Sequence, residues 1–359
     1  MKNFLRRNWP ILLIVLLINA GLIVISQIHI EYDVTSPAYL TEVQTVIEIE
    51  NAYEQKGSFN TTSVYFNERT TVLRYLLAKL SIANIIEESS PIVSYTSTSR
   101  NTRSGVFQKN ISLENALITA YKAAGCHLDY TYDGIIIHTL ANYATYDLEV
   151  GDVISKVDGK SFTSTAEFKS LYDEARMNPA YFNVEEGVCH LPLTVNGNDK
   201  IVTSTYILET SDGTKYPVFG FYYYDCYTID ESSADPKYKL KEVKTTGPSG
   251  GLLQTLAIFN ALTEFDYPYG LKIAGTGTID VDGKVGSIGG MTSKIYTAYY
   301  SGVRIFFVPY VESDDPSTNY NEAIAAYQKL GSPKDFKIVG VKTFQDAVDY
   351  LKAYGEAYD

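Results

Sequence analysis

The feature of this 359-residue sequence that most constrains its folding is an uncharged, apolar segment close to the N-terminus. No Asp, Glu, Lys or Arg occurs between Arg7 and Glu31, and a membrane-spanning helix needs only about 20 such residues. A cleaved signal peptide usually has a shorter apolar core that ends at small residues of the Ala-x-Ala type. Asn19-Ala20-Gly21 is not a clean site of that kind, and the apolar stretch Leu22 to Ile25 follows it. The segment is therefore predicted to be a retained membrane anchor, with a cleaved signal peptide as the alternative.

The charges that precede the apolar segment predict its orientation. Three basic residues stand before it: Lys2, Arg6 and Arg7. Basic residues tend to remain on the cytoplasmic side of a membrane. We therefore expect a cytoplasmic tail at residues 1–8, a membrane-spanning helix at 9–30 and an extracytoplasmic part at 31–359. The lipid bilayer is thus one expected partner, and the cell membrane is the expected location.

Composition excludes two broad classes of protein. Hydrophobic residues make up 45% of the chain and charged residues 20%, which is ordinary for a folded protein and not for a disordered one. The net charge of −12 leaves no broad basic surface for a polyanion. Nucleic acid is therefore not an expected partner.

The cysteines and histidines do not indicate a metal site. Cys126, Cys189 and Cys226 form no C-x-x-C pair, and no histidine lies at ligand spacing from them. A disulfide between two of the three remains open, with one thiol left over. We therefore expect no metal and no other cofactor.

Two short strands are predicted soon after the anchor. The stretch 43–49 alternates apolar and polar residues, as a half-buried strand does, and turn residues at 55–58 precede a second strand at 59–66. These two strands are predicted to pair as a β-hairpin.

Helices and a loop are predicted next along the chain. The apolar spacing in 72–80 predicts an amphipathic helix, and that in 113–124 predicts another, which ends at Gly125. The residues 87–104 are rich in Ser, Thr and Arg, which indicates an exposed loop.

Two residues give the best indication of chemistry. Ser249 lies in Gly247-Pro248-Ser249-Gly250-Gly251, and Lys294 ends the glycine-rich stretch Gly286 to Lys294. A serine hydroxyl is a poor nucleophile at neutral pH, and a lysine kept neutral by its surroundings can remove its proton. The pair therefore indicates a serine hydrolase with a lysine base. Each residue also has an ordinary alternative: Ser249 as a helix N-cap, and Lys294 as a side chain that reaches past apolar neighbours to water.

Local patterns give both residues a reason to be reactive. The apolar spacing after Gly251 predicts a helix, so Ser249 lies at a helix entrance, where backbone N–H groups favour negative charge. Met291, Lys294 and Ile295 share one face of a second predicted helix. Lys294 thus lies on an apolar face, where loss of hydration should lower its pKa below the ~10.4 of a model lysine.

The segment Leu148 to Lys160 contains the pattern L-x-x-G-D-x-I-x-x-V-D-G. It resembles the core of PDZ domains of the kind associated with bacterial proteases. Its Gly-Asp and Asp-Gly pairs predict tight turns, Ile154 and Val157 are predicted to point inward, and a helix is predicted at 164–175. The resemblance implies a module that captures extended peptides at a sheet edge, with the groove strand near Gly134 to Thr139. An unrelated hairpin with the same turn residues is the alternative.

The stretch 245–310 resembles the proteolytic domain of Lon proteases. The resemblance rests on Gly-Pro-Ser with a following glycine, the strand at Gly275-Thr276-Gly277, the stretch Gly286 to Lys294 ahead of a helix, and the strand Val303 to Pro309. It implies that Ser249 is the nucleophile, that Lys294 is the general base and that Thr276 supplies a hydroxyl near the lysine. Gly250 departs from the alanine more often found after the serine in that family.

Together these patterns resemble the membrane-anchored, PDZ-containing Lon-like serine proteases of Gram-positive bacteria. The implied fold is α+β: an N-terminal transmembrane helix, a PDZ-like β-rich module at 121–212 and a Lon-type proteolytic domain at 213–359, similar to domain 2 of ribosomal protein S5. The strand and helix region at 31–120 includes a hairpin and helix that also resemble the start of a Lon proteolytic domain. In that case the module is inserted between two parts of the protease. Lon-like domains tend to form rings, so a homo-oligomer such as a hexamer is an open expectation.

The implied function is an ATP-independent serine endopeptidase that cleaves extracytoplasmic or membrane-associated proteins, recruited in part by the PDZ-like module. The chain has no G-x-x-x-x-G-K-[ST] sequence, the phosphate-binding loop of many ATPases. A trypsin-like triad would need His127, His138 or His190, and a helix after Ser249 fits poorly with a β-barrel. The alternative from another class is an inert membrane-tethered scaffold that only binds protein or peptide partners.

Overall fold

The computed structural model describes residues 2–89, 98–145, 147–241 and 245–357, with only the backbone described at 2–6 and 98–102. The helices are α1 (Lys2–Ile25), α2 (Val72–Ala78), α3 (Thr98–Ala124), α4 (Thr165–Arg176), α5 (Gly251–Leu262), α6 (Met291–Tyr300), α7 (Asn319–Lys329) and α8 (Phe344–Glu356). The first strands are β1 (Tyr32–Glu42), β2 (Ile47–Ile49), β3 (Ser58–Asn67), β4 (Ile85–Glu88), β5 (Tyr130–Leu140), β6 (Val153–Val157), β7 (Lys160–Ser161), β8 (Phe182–Asn183), β9 (Val188–Val195) and β10 (Asn198–Ser204). The later strands are β11 (Ile207–Glu209), β12 (Lys215–Pro217), β13 (Phe221–Ile229), β14 (Tyr238–Leu240), β15 (Lys272–Gly275), β16 (Thr278–Ile279), β17 (Val285–Gly286), β18 (Ile305–Pro309) and β19 (Lys337–Val341).

Helix α1 contains the apolar segment near the N-terminus. Its part Arg7–Ile25 is 19 residues long with a mean hydropathy of 2.3, which is long and apolar enough to cross a membrane. None of this part is buried inside the protein. An apolar helix of this length that the rest of the protein does not cover is typical of a membrane-spanning segment. The helix ends at Ile25, five residues before the predicted end at residue 30.

The first sheet combines strands from the two ends of the sequence. Its strand order is β19-β18-β15-β3-β1-β4. The strands β3, β15, β18 and β19 run parallel, whereas β1 and β4 are antiparallel to their neighbours. In the central pair, Ser58 lies opposite Lys272 and Thr61 lies opposite Gly275. Residues that are more than 200 positions apart therefore form one sheet.

Helices cover both faces of this sheet. Along β18, Ile305 and Phe307 belong to the core that includes α3, α5 and α8, whereas Phe306 and Val308 belong to the core that includes α6 and α7. This alternation is what a strand buried on both faces requires. The helix that follows Ser249 and the helix that carries Lys294 thus pack on opposite faces, and the central strand β15 runs between them.

The predicted N-terminal hairpin is only half correct. The second strand is present as β3, but its antiparallel partner is β1, in which Thr41 lies opposite Thr61. The stretch predicted as the first strand instead contains a single 3-10 turn, Val43–Thr45, and the short β2, which pairs with β14. Val43, Ile47 and Ile49 are buried in the core that includes α5. Their alternation therefore reflects contact with that core and not pairing with β3.

The predicted helix at 72–80 is confirmed as α2, and the helix that ends before Gly125 is confirmed as the end of α3. The predicted loop at 87–104 is wrong at both ends, because β4 reaches Glu88 and α3 begins at Thr98. The middle of that loop, 90–97, lies outside the described residues. Apolar spacing did not predict the start of α3, because the first described turns of this helix make contacts through polar side chains such as Ser104 and Gln108.

The second sheet contains the segment that resembles a PDZ core. Its strand order is β10-β9-β6-β5-β13, with β7 beside β6 and β8 beside β9. The predicted Asp158-Gly159 turn is confirmed: both residues have positive φ, and Val157 lies opposite Lys160 across the turn. Ile154 and Val157 are fully buried as predicted. The predicted helix follows as α4, capped by the Ser164 side chain, which accepts from the Glu167 N–H.

The strand predicted to border a peptide groove has no free edge. The segment Gly134 to Thr139 lies in β5, which pairs with β6 on one side and with β13 on the other. The strands at the two ends of the order are β10 and β13, Phe221–Ile229. Of these two, β13 is the one that pairs with the predicted groove strand β5.

Candidate active site

Ser249 lies in a short loop immediately before α5. The N-cap of that helix is Gly250, and no side chain forms a capping hydrogen bond there. The alternative role of Ser249 as a helix N-cap is therefore wrong. Its side chain is half-buried and lines a cleft with a volume of about 560 Å³.

Lys294 is buried on the first turn of α6. The residue before this helix, Gly290, has a φ of 75°, a left-handed conformation that glycine adopts without strain. Met291 and Ile295 are fully buried beside the lysine, which is itself only 3% exposed. Burial lowers the pKa of Lys294 from 10.5 to about 7. The alternative in which Lys294 extends to water is therefore wrong.

Thr276 joins the two residues. It follows β15 directly and is fully buried. The Lys294 Nζ donates a hydrogen bond to Thr276 Oγ1 at 2.9 Å. The same hydroxyl donates to the Ser249 carbonyl oxygen at 3.1 Å. The structure therefore brings the three predicted site residues together, and Ser249 and Lys294 line the same cleft.

The residues that follow β15 form hydrogen bonds with the backbone around Ser249. The Gly277 N–H donates to the Ser249 carbonyl at 2.9 Å, and the Leu252 N–H donates to the Gly277 carbonyl at 3.1 Å. In the described part of the chain, the N–H groups of Ser249 and Gly250 donate no hydrogen bond. Free N–H groups at a helix N-terminus can stabilise negative charge. They are the available donors for an oxyanion beside Ser249.

The opposite wall of the cleft comes from β1 and β3. The register of this strand pair shifts between Pro37 and Leu40, so Ala38 and Tyr39 lie outside the regular ladder. Both of these residues line the cleft. An irregular strand edge of this kind can leave backbone groups available to an extended peptide.

A second cavity of about 420 Å³ lies between α3 and β13. It shares four lining residues with the catalytic cleft: Gln108, Tyr224, Pro248 and Thr278. The two cavities therefore lie next to each other. The segment Tyr223 to Tyr227 at the terminal strand of the second sheet borders this cavity. The cleft that contains Ser249 thus lies beside a cavity bordered by this strand.

Sequence patterns did not reveal the polar contacts of α3, one of which is with the loop that carries Ser249. Ser112 Oγ donates a hydrogen bond of 2.8 Å to the carbonyl of Pro248, the residue just before Ser249. Two more donors follow along the same side of the helix. They are Asn115 Nδ2 to the Ile279 carbonyl at 3.0 Å and Thr119 Oγ1 to the Asp280 carbonyl at 2.9 Å. The spacing of these polar residues at i, i+3 and i+7 was the available signal.

The histidines do not support a trypsin-like triad. His127 Nε2 lies 3.5 Å from Asp129 Oδ2, and His190 contacts Thr203 Oγ1. His138 contacts Thr139 Oγ1 and stacks on Tyr224. Burial lowers the pKa of His138 to about 4.

The cysteines are three separate free thiols: Cys126, Cys189 and Cys226. The disulfide that the sequence left open is therefore not formed. Burial raises the pKa of Cys189 to about 11 and that of Cys226 to about 12, which disfavours the thiolate needed for nucleophilic attack. Within the described residues, no group of three or more His, Cys, Asp and Glu side chains could hold a metal ion.

Comparison with known proteins identifies the part of the chain that carries this site. Residues 241–323 match the family model of the Lon protease (S16) C-terminal proteolytic domain. Similar curated proteins include the Lon protease of Mesomycoplasma hyopneumoniae (strain 232), 32% identical over 105 residues, and Lon protease 2 of Bacillus subtilis (strain 168), 33% identical over 105 residues. The Lon protease of Mycoplasma pneumoniae is 36% identical over 100 residues.

The similarity covers a limited part of each protein. It spans 29%, 29% and 28% of this chain in the three alignments, and 11%, 16% and 11% of the respective relatives. The matched region includes both Ser249 and Lys294. The C-terminal part of the chain therefore carries a Lon-type proteolytic domain, whereas α3 and the second sheet lie outside the family match.

Proposed function

We propose that this protein is an ATP-independent serine endopeptidase with a Ser249–Lys294 dyad, anchored in the cell membrane by α1 and active on extracytoplasmic or membrane-associated proteins. The observation that carries the proposal is the state of Lys294. Its amine is buried, its pKa is lowered to about 7, and it donates a hydrogen bond to the hydroxyl of Thr276. A neutral amine fixed in the wall of a cleft that also contains a serine is suited to act as a base.

The chemistry follows from this arrangement. Ser249 Oγ attacks the scissile carbonyl carbon, and its proton passes to the unprotonated Nζ of Lys294. The oxyanion that forms is stabilised by the free N–H groups at the start of α5. The Lys294 ammonium then protonates the leaving amine as the peptide bond breaks. Water, deprotonated by the same lysine, hydrolyses the acyl-enzyme and restores Ser249.

Thr276 supports the base rather than the nucleophile. Because its hydroxyl accepts one N–H of Lys294 and donates its own proton to the Ser249 carbonyl, it fixes the amine relative to the serine backbone. We assign it a positioning role.

The membrane location rests on the apolar helix and its flanking charges. Arg7–Ile25 has the length and hydropathy of a membrane span. The basic residues that precede it favour a cytoplasmic N-terminus, and the remaining residues then lie outside the membrane. Independence from ATP is part of the proposal because this chain has no phosphate-binding loop of the G-x-x-x-x-G-K-[ST] type.

We propose further that the second sheet acts as a PDZ-like module that recruits substrates at the edge of β13. Residues of this strand border the 420 Å³ cavity, which shares four lining residues with the catalytic cleft. An extended peptide that is added as a strand beside β13 could continue towards Ser249 without leaving the protein surface.

The catalytic proposal is tested with the purified full chain in detergent micelles and with casein as a disordered substrate. Wild type should cleave casein equally with and without an ATP-depleting enzyme, whereas Ser249→Ala and Lys294→Met should lose at least about a thousand-fold in kcat. Lys352→Met is the control and should keep wild-type activity, because Lys352 is exposed and lines neither cavity. An inactive wild type, or activity that Ser249→Ala retains, would favour the inert scaffold.

The recruitment proposal needs a different variant. Val281 lines the 420 Å³ cavity but not the catalytic cleft, so Val281→Arg should slow cleavage of casein more than cleavage of a short fluorogenic peptide. Val311→Arg is the matched control, because Val311 is exposed and lines neither cavity. Equal loss with both substrates would argue against substrate recruitment through this cavity.

A further inference from the structure

Helix α3 contacts the loop that carries Ser249 at two points on one face. The Gly247 N–H donates to the Gly105 carbonyl at 2.8 Å, and Ser112 Oγ donates to the Pro248 carbonyl at 2.8 Å. Gly105 and Ser112 are seven residues apart, which is close to two full turns of an α-helix. The two residues immediately before the serine are therefore both fixed to this helix.

The close approach explains an unfavourable residue inside a helix. Glycine in a helix interior is destabilising by roughly 0.5–1 kcal/mol relative to alanine. A Cβ added at Gly105 would lie 2.9 Å from Thr246 Cβ, a distance that requires the loop to move. The absence of a side chain at Gly105 thus allows the serine loop to lie against α3.

A second glycine shows the same fit from the opposite side. A Cβ added at Gly251 would lie 2.6 Å from Ser112 Oγ. The hydroxyl of Ser112 therefore fills the space next to the first residue of α5. Ser112 is 4% exposed, so its hydrogen bond to the loop is protected from water.

The same helix is also bonded to the second sheet. Ser104 Oγ donates to the His138 carbonyl, and Gln108 Nε2 donates to Thr139 Oγ1 at 3.4 Å. These contacts hold the N-terminal half of α3 against β5. The helix is thus held at both the sheet and the serine loop.

We infer that α3 is a positioning element for the nucleophile, in which Gly105 and Ser112 hold the Gly247–Ser249 backbone so that the serine hydroxyl remains in the cleft beside Lys294. This inference rests on the proposed function of Ser249. Ser112 acts through the loop and does not touch the reacting atoms. Neither residue lies in the segment that matches the Lon family model.

The test compares two hydroxyl deletions on the same helix. Ser112→Ala removes the bond to Pro248, and Thr119→Val removes a bond of similar length to the Asp280 carbonyl. Thermal stability of the full chain, kcat and KM with a short fluorogenic peptide, and the rate at which a fluorophosphonate labels Ser249 are measured for both. Ser112→Ala should lower kcat and the labelling rate roughly ten- to hundred-fold with little change in KM. Thr119→Val should lose as much thermal stability as Ser112→Ala, but it should keep the wild-type kcat and labelling rate.

Two further variants separate positioning from folding. Gly105→Ala should favour the helix while displacing the loop, so activity should fall without an equal fall in thermal stability. Ser112→Thr retains the hydroxyl and should restore most of the activity. The pH at which activity is half-maximal should be unchanged in Ser112→Ala, because Lys294 is untouched.

Specific results overturn the inference. If Ser112→Ala and Thr119→Val lower kcat in the same proportion as their loss of stability, α3 has only a structural role. If Ser112→Ala keeps wild-type kcat and labelling, while Ser249→Ala is inactive, the dyad stands and the positioning role fails. A wild type that neither cleaves the peptide nor reacts with fluorophosphonate removes the proposed function and this inference together.

Discussion

The amine of Lys294 donates a hydrogen bond of 2.9 Å to the hydroxyl of Thr276, and burial is the cause of its lowered pKa. A buried lysine paired with a hydroxyl is destabilised in its charged form. The same contact links Lys294 to the Ser249 backbone, because the Thr276 hydroxyl donates to the Ser249 carbonyl. The acid–base properties and the geometry of the site therefore depend on one threonine.

Activity should rise with pH as Lys294 loses its proton. Since its pKa is about 7, kcat/KM should increase close to ten-fold per pH unit below that value and reach a plateau above it. The measurement is kcat/KM from pH 5 to 9 with a fluorogenic peptide that has no titratable side chain. A flat profile, or a decrease above pH 7, would exclude Lys294 as the base.

Replacing Lys294 with methionine should stabilise the protein at neutral pH. The folded-state pKa is lowered, so the unfolded chain binds more protons between pH 7 and 10.5, and wild-type stability increases with pH across that window. Lys294→Met lacks this penalty and should gain on the order of a few kcal/mol at pH 7, an advantage that disappears above pH 10.5. Chemical denaturation of both proteins at pH 7 and pH 10 measures this difference in the free energy of unfolding. Lys284→Met removes an exposed amine and should show no such difference. A Lys294→Met variant less stable than wild type at pH 7 would contradict the expected cost of burial.

Thr276→Val should impair catalysis more than folding. Valine fills nearly the same volume but can neither accept from Lys294 nor donate to the Ser249 carbonyl. Loss of these bonds should cost about 1–3 kcal/mol of stability and at least about ten-fold in kcat. Thr276→Ser keeps the hydroxyl and serves as the control. Steady-state kinetics together with thermal unfolding measure both effects, and unchanged kcat in Thr276→Val would remove its positioning role.

The full chain should be an integral membrane protein with residues 31–359 outside. In a bacterial host it should remain in the membrane after alkaline carbonate extraction, and protease added to spheroplasts should degrade it. The double substitution Val15→Arg and Leu17→Arg should reduce membrane insertion, because each arginine at the centre of a span costs about 2.5–3.5 kcal/mol. Val15→Ile is the conservative control. Recovery of wild type in the soluble fraction would contradict the anchor.

Much of the candidate site follows from local patterns in the sequence. The spacing of Met291, Lys294 and Ile295 predicts a helix with the lysine on its apolar face, and in the structure all three side chains are buried. The Asp282-Gly283 pair predicts a turn, and β16 and β17 pair across it. These features are predictable because helical period and turn conformation depend on residues within a few positions of each other.

Other features are not predictable from such patterns. The alternation in Val43 to Ile49 indicated a strand paired with β3, although those residues are buried in the core that includes α5. The first half of α3 was missed because hydrophobic periodicity does not detect contacts made by polar side chains such as Ser104 and Gln108. The strand near Gly134 to Thr139 was wrongly expected to form an edge of the second sheet, for a related reason. The neighbour of β5 is β13, which begins more than 80 residues after β5 ends.

The sequence by itself determined the apolar N-terminal helix, the turns, and the residue types that chemistry requires at 249, 276 and 294. Only the tertiary structure decided that these residues meet. The parallel pairing of β3 with β15 unites segments more than 200 residues apart, and it sets Thr276 between the helix that follows Ser249 and the helix that carries Lys294. Such pairing depends on the burial of both sheet faces and on the complete set of neighbouring strands. Those long-range contacts, and the support of α3 behind the serine loop, have no local signature in the sequence.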